Sequence, residues 1–137
     1  MKKILFAMCV CAFAFASAAN AQKFGFSPYV QYGWNLNGNP RDTAVAVQSL
    51  FGSATEPIPE VTPVVEEVWT FGQDGRWSYY SPQKTGDENA TYAAAHNYGL
   101  LTEIGPGEGY WVKATNFTYL PFQEGQVYNP ANKLAGS

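Results

Sequence analysis

Cysteine is nearly missing from this chain of 137 residues, and its two copies, Cys9 and Cys11, lie inside the first apolar run. Histidine occurs once, at His96, and eight Lys and Arg residues face eleven Asp and Glu. A segment of about 20 consecutive apolar residues, the length that spans a bilayer core, is also lacking. Each shortage excludes a class of function. One histidine with no thiol nearby cannot build a zinc site, and it leaves a Ser–His–acid arrangement only His96 to use. The cations beyond the first residues, Lys23, Arg41, Arg76, Lys84, Lys113 and Lys133, are scattered along the chain. Without a basic patch, nucleic acid and anionic membrane surfaces are poor partners.

The N-terminus has the three parts of a cleavable secretory leader. Lys2 and Lys3 are followed by an apolar stretch over residues 4–16, and Ala19-Asn20-Ala21 places small residues where a signal peptidase reads them. Cleavage before Gln22 would leave 116 residues without cysteine, with six basic and eleven acidic side chains, a formal charge of −5. That length is one domain. The leader, read as bacterial, points to the periplasm or the cell surface, with no stable membrane insertion after cleavage.

Aromatic residues are what the chain has in abundance. All four tryptophans, all nine tyrosines and six of the nine phenylalanines follow residue 21, and they carry enough buried area to stabilise a small domain without disulfides. After a lead-in over residues 22–28, residues 29–36 alternate as a strand. Val30, Tyr32, Trp34 and Leu36 share one face, expected to be core, and Tyr29, Gln31, Gly33 and Asn35 share the other. Asn37-Gly38-Asn39-Pro40 ends it. A short helix is expected through Val45, Val47, Leu50 and Phe51, capped by Asp42 or Thr43 and stopped by Gly52.

Residues 64–71 and 76–81 form a predicted hairpin around Gln73-Asp74-Gly75. A three-residue loop gives Gly75 the left-handed position and sets Phe71 opposite Trp77 and Trp69 opposite Tyr79. This register gathers the four aromatics and Val65 on one face, expected to be core, with Glu67 at its rim. Residues 89–98 are an expected Ala-rich helix with Asp87 or Asn89 as cap and Gly99 after its end. Strands follow at residues 100–104 and 109–115 around Gly105-Pro106-Gly107-Glu108, with a further strand at 117–122. The expected fold is α+β and β-rich: a small, mostly antiparallel sheet or sandwich of five or six short strands with one or two short helices. The domain covers residues 29–122, and residues 123–137 form a loose tail.

In order and spacing, Gly33-Trp34-Asn35-Leu36, Gly38-Asn39-Pro40, Leu50-Phe51-Gly52, Val68-Trp69, Trp77-x-x-Tyr80-x-Pro82, Tyr92-Ala93 and Gly107-Glu108-Gly109-Tyr110-Trp111-Val112 resemble a recurring module of exported bacterial proteins, recognisable by its GWNL start and GxGYWV or GEGFWV finish. The resemblance covers roughly residues 33–115. It implies export and a compact β domain, and it transfers no catalytic residue. An Asp often found in that module before the strand near residue 100 is replaced here by Gly99.

Trp111 is the residue with the most to say about ligands. In its strand Tyr110, Val112 and Ala114 make an apolar face, while Trp111 shares the other with Lys113 and Thr115. A tryptophan among polar residues, next to a turn bearing Glu108, suits a stacking platform for a sugar or peptide; the competing expectation covers Trp111 with the segment 117–122. Trp111, Lys113, Glu108 and Asn35 are the candidate ligand-binding residues. Two readings stand: a non-catalytic module contacting glycan or an envelope protein through exposed aromatics, and a structural subunit that self-associates. A third, enzymatic reading uses Glu103 and Glu108 as a carboxylate pair across the Gly-Pro-Gly turn. No metal or cofactor is expected: Gly86-Asp87-Glu88-Asn89 lacks the alternating acids of a calcium loop. Gln73-Asp74-Gly75 is explained by its hairpin, and Asn89-Ala90-Thr91 and Asn116-Phe117-Thr118 as chance glycosylation patterns.

Overall fold

The computed structural model describes residues 23–131, so the leader lies outside the described residues. In chain order the elements are β1 (Lys23–Phe26), β2 (Tyr29–Val30), β3 (Gly33–Gly38), β4 (Val45–Ala46), α1 (Val47–Phe51), β5 (Val65–Phe71), β6 (Trp77–Tyr80), α2 (Gly86–Ala95), β7 (Gly99–Leu100), β8 (Glu103–Ile104), β9 (Gly109–Ala114), β10 (Thr118–Tyr119) and β11 (Gln123–Gln126). The fold is α+β and β-rich, with mostly antiparallel pairing. Its centre is a five-stranded sheet in the order β3-β9-β5-β6-β7, and three two-stranded ladders, β1-β11, β2-β10 and β4-β8, lie around it.

One face of that sheet is the core side. Val68, Tyr80, Tyr110, Val112 and Ala114 pack there with Val47, Leu50 and Phe51 of α1, and with Val30, Val45, Ile104 and Leu120 of the small ladders. Val65 belongs to this core, although strict alternation assigns it to the face of Trp69. A β-bulge between Val65 and Glu67 absorbs Glu66 as the extra residue, so the parity of the strand changes there. Val65 is consequently fully buried.

The hairpin register follows the sequence argument. Phe71 pairs with Trp77 and Trp69 with Tyr79. Gly75 takes φ 76°, and Gly72 N–H donates to Arg76 O to close the three-residue loop. The strand expected over residues 29–36 is instead two strands. Gly33, at φ 91°, breaks it, and the Asn35 side chain braces the bend by accepting from Gln31 N–H and donating to Gln31 O and Gly33 O. The interruption uncouples the two halves of the alternation. Val30 enters the core, whereas Tyr32, Trp34 and Leu36 are exposed.

Capping differs from expectation at both helices. α1 spans five residues with Ala46 at its N-cap and no side-chain cap, so neither Asp42 nor Thr43 starts it; Gly52 ends it as expected, donating to Gln48 O. α2 starts at Gly86 because Thr85 and Glu88 form a reciprocal capping box. Asn89, one of the expected caps, is buried in the helix and holds the chain before it: its Oδ1 accepts from Ser81 N–H, and its Nδ2 donates to Ser81 O. The left-handed residue after α2 is Asn97, at φ 60°, and Gly99 has already joined β7. The lead-in and the proximal tail are also less loose than expected, since β1 and β11 pair over four residues, from Lys23 with Gln126 to Phe26 with Gln123.

Candidate ligand-binding face

The second face of the central sheet carries the tryptophans. Adjacent strands β3, β9, β5 and β6 each contribute one: Trp34, Trp111, Trp69 and Trp77. The register fixes their common side. Trp34 lies opposite Lys113, and Leu36 opposite Trp111; Trp111 lies opposite Trp69, and Glu67 opposite Lys113; Trp69 and Phe71 then face Tyr79 and Trp77. With Tyr98, which follows α2, the four indoles line a shallow depression of about 570 Å³, within the range of small-molecule sites.

These rings are open to solvent. Trp34 is 55% exposed, Trp77 40% and Trp111 39%. Trp34 is therefore not a core residue, and of the aromatic cluster expected to be core only Tyr79 is buried. Segment 117–122 does not cover Trp111: it pairs through β10 with β2. Tyr79 is buried because α2 covers that corner of the sheet, its Tyr92 ring 4.5 Å away. Lys84 completes the cover, donating to Tyr79 Oη at 3.1 Å with its ammonium 4.7 Å from the Tyr92 ring centre. That hydrogen bond is the main reason the Lys84 pKa is raised.

Trp69 is the half-buried floor of the depression. Trp77 and Tyr98 stand nearly perpendicular to it, at 88° and 85°, with ring centres 6.2 and 4.9 Å away. Edge-to-face packing of this kind satisfies the aromatic quadrupoles and locks ring orientation. The Trp69 indole N–H is engaged by Glu67 Oε2 at 3.1 Å, which fixes χ angles that would otherwise be free. At the β3 edge Lys113 Nζ lies 6.0 Å from the Trp34 ring centre and 3.5 Å from Glu66 Oε2.

Two of the four candidate residues thus stand together on this face, Trp111 and Lys113. Asn35 does not. It alternates with Trp34 and Leu36 and points to the other side, where its Nδ2 also donates to Val112 O. Glu108 does not either. Its Oε2 accepts from Gly105 N–H at 2.9 Å, holding the turn before β9, and it borders a separate depression with Phe71, Gln73 and Tyr128 at the sheet's end. The same turn is bolted to Asn39, whose Nδ2 donates to Ile104 O and Gly105 O and whose N–H donates to Glu108 O. Glu103 is exposed on β8, paired with Ala46 of β4. His96 is exposed, its ring 4.2 Å from Tyr92 and stacked 5.7 Å from Tyr98.

The chain matches no protein-family profile, no curated protein and no solved structure. Among the described residues, no three His, Cys, Asp or Glu side chains gather as a metal site, and no helix is long and apolar enough to cross a membrane.

Trp34, Trp69, Trp77 and Tyr98 line the candidate face and were not expected there from the sequence. A signal existed for Trp69 and its hairpin partner Trp77. Glu67 alternates with Trp69 and Lys113 with Trp111, and charges sharing a strand face with tryptophans mark that face as the solvated one. The break at Gly33, which decides the side of Trp34, had no comparable signal.

Proposed function

We propose that this protein is an exported, non-catalytic carbohydrate-binding module of the bacterial envelope, with the tryptophan face of its central sheet as the binding surface. The observation that carries the reading is the arrangement of one tryptophan on each of four adjacent strands, all on the uncovered side. Sugar rings present patches of C–H that stack on the electron-rich faces of aromatic rings. Their hydroxyls need polar partners beside the rings, and Lys113, Glu66 and Glu67 stand at that position. The depression is shallow and lined by aromatic rings, which favours a sugar over a flat protein surface. Export rests on the leader-like residues 1–21, and the resemblance to the GWNL…GxGYWV module agrees with it.

The test is intrinsic fluorescence, since all four indoles lie in the site. Saturable quenching by a glycan, reduced at least tenfold in affinity by Trp111→Ala with the circular dichroism spectrum unchanged, is the expected result. A folded protein silent to every glycan sinks the reading.

A second reading, self-association, is favoured by another observation. Tyr29 of β2, Tyr119 of β10 and Phe117 just before β10 form an exposed aromatic triad, with ring centres 5.1–6.3 Å apart. Sedimentation separates the two readings: concentration-dependent association without ligand, abolished by Tyr119→Ser, supports assembly.

A further inference from the structure

The arrangement of the tryptophans specifies the shape and charge of the ligand, on the basis of the carbohydrate reading above. We infer that the face takes a neutral, linear polysaccharide strand, lying diagonally across β3, β9, β5 and β6, and grips the interior of the chain instead of its end.

Direction comes from the register. Trp34 sits at the level of Lys113 and Glu67, Trp111 and Trp69 sit one step further along, and Trp77 and Phe71 one step beyond that. The path from Trp34 to Trp77 therefore descends across the sheet as it crosses it. Three interstrand gaps of about 4.8 Å and four residues of about 3.3 Å give a diagonal of about 20 Å, the length of three or four pyranose units at about 5 Å each. A single sugar would touch one or two of these rings and leave the others in water.

Openness gives the mode of entry. At the Trp34 end β3 is the edge of the sheet, and Trp34 and Leu36 are both exposed there. At the other end the hairpin's Phe71 and Trp77 are likewise exposed. The raised side is the corner where α2 covers Tyr79 and Tyr98 stands against Trp69; the parallel pairing of Ser78 with Gly99 sets Tyr98 beside Trp77, so the wall turns the path along the hairpin, past the exposed Phe71. A groove walled along one flank and open at both ends admits a chain interior.

Charge gives the chemical class. Lys113 at this face is neutralised by Glu66 at 3.5 Å, Glu67 is occupied with the Trp69 N–H, and at the Trp77 end the Arg76 guanidinium is engaged by Asn97 O. Lys84, behind the wall, is engaged by Tyr79. Paired charges offer hydrogen bonds to hydroxyls with little net field for an acidic polymer, and the chain's acidic balance disfavours one further.

The test is calorimetric titration of the protein with neutral β-linked gluco-, xylo-, manno- and chito-oligosaccharides of one to six units, alongside a polyuronate. For at least one series, affinity should climb about fivefold per unit to three or four units and then level off, consistent with stacking of each added ring. Trp34→Ala and Trp77→Ala, at opposite ends of the diagonal, should each lower the plateau about fivefold or more. Tyr119→Ala, on the distant aromatic triad, should change nothing. A monosaccharide bound as tightly as the hexamer overturns the strand inference and leaves the carbohydrate reading standing. Preference for the polyuronate overturns neutrality. Binding of none of these by a folded protein overturns the inference together with the carbohydrate reading.

Discussion

The two faces of the central sheet have similar numbers of large side chains and opposite fates. On one, Val68, Val112, Tyr110 and Tyr80 are buried under α1 and the small ladders; on the other, Trp34, Trp111 and Trp77 stay in contact with water. Hydrophobicity alone would have assigned these roles the other way round, because tryptophan offers more apolar area than valine. What separates the faces is cover. Polar locks hold the cover on the valine side: Asn39 to the turn before β9, and, at α1 and its end, Thr62 Oγ1 to Phe51 O and Tyr80 Oη to Gly52 O. On the tryptophan side α2 supplies the cover among the described residues, and it reaches one corner.

The sharpest way to break this comparison is to remove an aromatic from each face. Phe51→Ala, at a fully buried ring packed edge-to-face on Tyr110, should lose about 3–5 kcal/mol in urea unfolding. Trp34→Ala should lose less than about 1 kcal/mol, as an exposed position does. Equal losses would mean that the tryptophan face is structural.

The buried face should also respond to alkali. Burial pushes the Tyr80 phenol up to about 12 from an ordinary 10.0, and Tyr110 also to about 12, where burial outweighs the opposing hydrogen bond from Asn37. The folded state thus resists ionisation, so its advantage is complete below about pH 10 and is lost as pH rises through about 12. Urea midpoints measured from pH 8 to 12 should hold steady and then fall above 10, and Tyr110→Phe, if it folds, should flatten part of that fall.

Smaller effects probe the one element that covers the open face. Asn89→Ala leaves Ser81 N–H and O without their partner and should cost about 2 kcal/mol. Thr85→Ala removes half of the capping box and should cost about 1 kcal/mol. If α2 walls the ligand face as described, each variant should also raise the fluorescence of Trp69 and Trp77 toward that of solvated indole, or otherwise alter their spectrum, before global unfolding. An unchanged spectrum would detach the helix from the site.

Much of this architecture was legible in the chain itself. Gly75 and the pairing of Phe71 with Trp77 followed from turn chemistry and the need to keep four aromatics together, because a hairpin's register is decided within a dozen residues. The stop at Gly52 and the alternation in β9 were legible for the same local reason. The polarity around Trp111 and Lys113 correctly marked their side of β9 as distinct from the buried side. The errors arose where a single residue changes strand parity. Glu66 bulges and sends Val65 inward; Gly33 breaks a strand and turns Trp34 outward. Each reverses every assignment on one side of it, and neither leaves a periodic trace.

What the sequence determined alone was therefore local: the aromatic-rich β-strands, the hairpin register and the scarcity of thiol, imidazole and clustered cationic groups. Which side of the sheet faces water was left to the tertiary structure. That choice depends on where α1, α2 and the three small ladders come to rest, and so on hydrogen bonds such as those from Asn39 to Gly105 that join residues 66 positions apart. Four tryptophans distant in sequence became one surface because neighbouring strands in a sheet lie about 4.8 Å apart, whatever their separation along the chain.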